Sequence, residues 1–148
     1  MDTSSRAGMR WLLLGTFGIG VLGTLAELLL LGHVEGWQQI APVALLGVSV
    51  VLLAVQVLKP APGTKAAFLA LMWLFLVSGP IGVGLHFQGN VEFEREMYPD
   101  MGGFELLKKT MTGATPVLAP GTMALLGLVG IAYVRYTSSL ETASETRV

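Results

Sequence analysis

Glu27, His33, Glu35 and His86 are the residues of this chain whose types could do chemistry together. Imidazole nitrogen and carboxylate oxygen are ligands for zinc or copper, and two histidines with Glu27 or Glu35 could supply three of them. The same two histidines could instead hold haem b as axial ligands, although axial histidines are expected on facing helices and His33 falls in a turn. Glu27 stands inside an apolar run, where an ionisable group is costly and marks a functional position by default. A proton-coupled small-molecule transporter would use such a residue, but near the midplane of the membrane. The competing structural reading makes Glu27 and His86 a hydrogen-bonded fastener between two helices. The spacing of His33-Val34-Glu35 is not diagnostic of a metal, so the structural reading is preferred here.

Other chemistries are excluded or unsupported. The chain has no cysteine, which removes disulfides, thiolate metal sites and cysteine nucleophiles. No hydrolase triad, phosphate-binding loop or HExxH is present. The Gly-x-Gly at Gly18 and Gly20 lacks the preceding strand that a nucleotide fold needs. A net charge of −1 provides no basic field for nucleic acid. No catalytic residue is assigned, and the chain is read as no enzyme.

The elements that must position these residues are long and apolar. Hydrophobic residues make up 53% of the 148 and charged residues only 13%, against roughly a quarter in a soluble domain. Mean hydropathy is +0.67. About 20 apolar residues cross the hydrocarbon as a helix, and four runs satisfy this, near residues 11–31, 37–58, 66–87 and 117–135. The spacing predicts an all-α membrane protein, four transmembrane helices in one antiparallel bundle and a single domain.

Short connections rich in Lys and Arg stay in the cytoplasm. Arg6, Arg10, Lys59, Lys65, Arg135 and Arg147 fall on one side, whereas Arg95, Lys108 and Lys109 share a loop with several acids on the other. Both termini, residues 1–10 and 136–148, are therefore expected in the cytoplasm, as unstructured tails. A cleaved leader over residues 1–26 is the alternative, but the apolar run continues through residue 31 and favours a retained helix.

The long outer connection, residues 88–116, is expected to carry structure. Residues 90–97 alternate apolar and charged side chains, which suits an extended segment with Val91, Phe93 and Met97 facing the protein or membrane. Residues 104–111 place Phe104, Leu107 and Met111 at helical spacing and predict a short interfacial helix. Two small-residue stripes point at the candidate site. Thr16, Gly20, Gly23 and Glu27 form one, and Gly79, Gly82 and His86 the other. Each brings its titratable residue to a similar outer level, so a Glu27–His86 pair is expected, with Glu92, Glu94 and Glu96 nearby.

Three stretches carry a resemblance: Glu27-Leu28-Leu29-Leu30-Leu31-Gly32-His33-Val34-Glu35, Leu85-His86-Phe87-Gln88-Gly89-Asn90-Val91-Glu92-Phe93-Glu94 and Ala114-Thr115-Pro116-Val117-Leu118-Ala119-Pro120-Gly121. The chain resembles small, uncharacterised bacterial four-helix integral membrane proteins. The resemblance implies four spans and a bacterial inner membrane; it brings no activity. The favoured expectation is a non-catalytic accessory or assembly component, in contact with the lipid bilayer and with a membrane-protein partner or further copies of itself. The runner-up is a protein binding a divalent metal or haem through Glu27, His33, Glu35 and His86.

Overall fold

The computed structural model describes residues 3–59 and 61–145. They form five helices: α1 (Thr3–Leu30), α2 (Trp37–Leu58), α3 (Pro62–Met97), α4 (Gly103–Met111) and α5 (Gly121–Glu145). Four of these are long and apolar enough to cross a membrane, so most of the surface is suited to lipid. The protein is an all-α four-helix membrane protein with one short additional helix, as the hydropathy pattern predicts.

The spanning helices close a ring in which α1 packs on α2 and α5, and α3 packs on α2 and α5. The closest pair is α3 and α5. An aromatic cluster fills the middle. The Phe17 ring meets Phe68 edge-on with centroids 5.3 Å apart, and Phe68 meets Tyr133 in the same manner at 6.1 Å. Leu46, Met72, Phe75 and Leu126 complete this core. Edge-to-face rings satisfy the ring quadrupoles while burying large areas.

Two expectations about the polar segments are corrected. Residues 90–97 are helical, because α3 runs unbroken to Met97. Nothing in that segment stops a helix before Pro99, which drives Tyr98 to φ −139°, ψ 82°. The Gln88 side chain donates to Glu92 Oε1 at 2.9 Å, one helical turn on. Asn90 and Glu94 are buried, whereas Phe93 and Met97 are exposed. The tails differ as well: α1 is helical from Thr3 and α5 continues to Glu145, past the apolar residues, while residues 1–2 and 146–148 of the expected tails lie outside the described residues. The two ends are joined by a 3.3 Å hydrogen bond from the Tyr136 hydroxyl to the Arg6 carbonyl.

Residues 104–111 lie within α4 as expected. Leu106 and Thr110 face α3, leaving Phe104, Leu107 and Met111 together on the exposed side.

Candidate ligand site at the histidine end

His33 is placed by the way α1 stops. The Gly32 amide donates to the Leu29 carbonyl at 3.1 Å and the His33 amide to the Leu28 carbonyl at 2.9 Å. These are the two bonds of a Schellman cap, and Gly32 sits at φ +64°, the left-handed conformation that the cap requires. The turn is held onto α2 by the Glu35 amide, which donates to Gln39 Oε1 at 2.9 Å. The imidazole is thereby turned back over the end of the bundle.

His86 is placed by its glycine stripe. A Cβ on Gly79 would lie 2.7 Å from the Ala124 backbone nitrogen, and one on Gly82 2.6 Å from Pro120 Cβ. The absence of side chains thus lets α3 and the start of α5 touch. One turn further, His86 Nδ1 lies 3.1 Å from the Pro116 carbonyl oxygen. A carbonyl can only accept, so Nδ1 carries the hydrogen and the neutral ring keeps its lone pair on Nε2.

The two imidazoles lie beside each other with centroids 6.3 Å apart and planes inclined at 48°. His33 is held below its ordinary pKa of 6.5, first by burial and then by repulsion from His86. Its neutral, ligating form is therefore the favoured one around neutral pH.

Both rings line a cleft of about 1060 Å³ between α1, α2, α3 and the lead-in to α5. Its apolar walls include Leu28, Leu45, Ile81 and Met123. Polar groups gather among them: Glu27, Gln38, Gln39 and Glu92. A large, mostly apolar space with a few convergent polar side chains is the usual form of a small-molecule site.

The sequence-derived candidates are distributed unevenly about this space. His33, His86 and Glu27 all line the cleft, but Glu35 does not. The expected Glu27–His86 pair is absent among the described residues. His86 spends its Nδ1 hydrogen on Pro116, and its glycine stripe aims it at α5 rather than α1. Among the described residues, no three His, Asp or Glu side chains gather closely enough to hold a metal ion.

Sequence reasoning missed Asn90, which lines the cleft and is 2% exposed. Its amide nitrogen donates to the carbonyls of Thr110 at 2.9 Å and Thr115 at 2.8 Å. Its oxygen accepts from the Thr115 hydroxyl at 2.6 Å and the Thr115 amide at 3.2 Å. Every hydrogen-bonding position of the Asn90 amide is used, and the connection carrying Pro116 is fixed to α3. An asparagine in an otherwise charged helical segment was the available signal.

Comparison with protein-family models, with curated proteins and with solved structures finds no match to this chain.

Proposed function

We propose that the protein is a non-catalytic accessory component of a membrane assembly, and that its working part is the cleft between His33 and His86. It would sit in a bacterial inner membrane with both termini cytoplasmic and the histidines at the outer face. The ligand that suits the cleft best is a planar, apolar metal cofactor of the haem b type. The observation that carries this reading is the close imidazole pair lining a large, mostly apolar space.

His33 and His86, with ring centroids 6.3 Å apart, are the residues that would hold the metal of such a group. A bare zinc or copper ion would need a third protein ligand, whereas a porphyrin supplies its own equatorial nitrogens. The bond from His86 to Pro116 supports the same reading, because a ligating histidine usually anchors its other ring nitrogen on a carbonyl or carboxylate. Glu27, on the cleft wall, would then meet a polar edge of the ligand.

The test is a visible spectrum together with elemental analysis of protein purified in mild detergent without chelator. A haem spectrum with near-stoichiometric iron is expected, lost in both His33→Ala and His86→Ala while circular dichroism stays helical. Copper or zinc without iron would replace haem by a metal site. No bound metal, after growth with haem supplied, would leave the accessory role without a cofactor.

A further inference from the structure

A second cavity lies at the opposite end of the bundle, where α1 and α5 carry the two termini and α2 turns into α3. It has a volume of about 690 Å³ and is lined by Arg10, Gln56, Lys65, Tyr133, Thr137 and Ser138 among others. Among the described residues, no aspartate or glutamate lines it. The described polar lining includes donors on Arg10, Gln56 and Tyr133.

These three donors make no hydrogen bond among the described residues, and one of them, Arg10 Nε, is fully buried. Gln56 is 3% exposed and its amide oxygen is taken by the Thr64 hydroxyl at 3.0 Å, so the side chain is fixed with its amide nitrogen unpaired. Tyr133 is also 3% exposed and its hydroxyl makes no hydrogen bond, although the ring is locked against Phe68. Arg10 Nε is buried with no partner, while the guanidinium lies 5.8 Å from the centre of the Trp11 ring. A fully buried donor without an acceptor is costly, above all on a guanidinium.

We infer that this cavity binds the phosphate of an anionic lipid headgroup, with Arg10 as the main contact and Gln56 and Tyr133 as neutral donors. Arginine matches phosphate oxygens through its planar fork, and neutral donors beside it complete the shell. The position suits a lipid. The cavity lies where four apolar helices end, its walls include Leu69 and Val134, and it opens beside the positively charged connections. Basic pockets between spanning helices are established places for such headgroups, and anionic lipids are enriched in the cytoplasmic leaflet. This site is separate from the histidine cleft and does not depend on what fills it, but it rests on the proposed orientation that puts this end in the cytoplasm.

The experiment is native mass spectrometry of the protein released from nanodiscs made of equal parts phosphatidylglycerol and phosphatidylcholine. The wild type should retain phosphatidylglycerol preferentially. Arg10→Gln should retain about tenfold less, the loss expected for one charged hydrogen bond. Gln56→Met, similar in shape and needing no acceptor, should lose several-fold and guards against a folding defect in the arginine variant. Arg135→Gln, at the same end but outside the cavity, should match the wild type. Equal losses in Arg135→Gln would show a diffuse surface effect and overturn the site. So would equal retention of the two lipids with no binding of inorganic phosphate. Displacement of phosphatidylglycerol by millimolar inorganic phosphate would keep the phosphate site and overturn its assignment to lipid.

Discussion

His33 is a histidine in a six-residue connection, yet its place is determined as closely as that of a helical residue. The cap at Gly32 fixes the backbone on one side and Gln39 fixes it on the other. Its imidazole is held below the ordinary pKa of 6.5 by burial and by His86. A histidine with a lowered folded pKa binds fewer protons than it does in the unfolded chain. Stability therefore rises with pH between the folded value and 6.5, is complete above 6.5, and is lost as pH falls below it. Amide hydrogen exchange over residues 31–36 should accelerate between pH 7 and pH 5 beyond its intrinsic pH dependence, and His33→Asn should remove the excess. An unchanged ratio of exchange rates would show that the ring feels neither burial nor its neighbour. At this scale the sequence was informative about identity and weaker about partners. Glu27, His33 and His86 were legible because ionisable groups are conspicuous in apolar runs. The acceptor for His86 was not, because a backbone carbonyl 30 residues away leaves no mark in the residue types.

The helices were legible from hydropathy alone, since the hydrocarbon thickness sets their length. What the pattern could not supply was the end of α3. Eight residues of alternating character fit an extended segment, but helix and strand periods separate only over longer windows. The decisive information lay in Asn90, whose role exists only once α4 and the following turn are folded against it. Replacing Asn90 with Leu should orphan the Thr110 and Thr115 carbonyls and the Thr115 hydroxyl at once. The expected loss is about 3 kcal/mol from the packing of α4 on α3. Limited proteolysis should then cut within residues 98–116 much faster than in the wild type, with the aromatic core unaffected. Undiminished protection would mean that α4 is held by Leu106 and its apolar contacts instead.

For the whole molecule, charge bias predicts which end faces the cytoplasm, and the absence of cysteine makes this simple to measure. Single cysteines at Gly102, beside α4, and at Ser139, near the end of α5, should report opposite sides. In sealed inverted vesicles a membrane-impermeant maleimide should label Ser139→Cys and spare Gly102→Cys. In intact spheroplasts the preference should reverse. The opposite pattern would place the histidine cleft in the cytoplasm and the Arg10 cavity outside, where anionic lipid is scarcer. The two cavities divide the bundle by composition: imidazole and carboxylate gather at one end, guanidinium and hydroxyl at the other.

The unbroken length of α3 has a further, steric consequence. Its 36 residues extend about 54 Å, whereas an upright crossing uses only about 30 Å of hydrocarbon. Part of the excess stands beyond the bilayer at the histidine end, with α4 lashed to its side. It forms a post beside the mouth of the cleft and sets a stand-off height for whatever approaches. A broad, flat-faced protein skimming the lipid surface would strike Met97 before it reached His33. A slender probe, or a molecule already dissolved in the bilayer, would pass underneath.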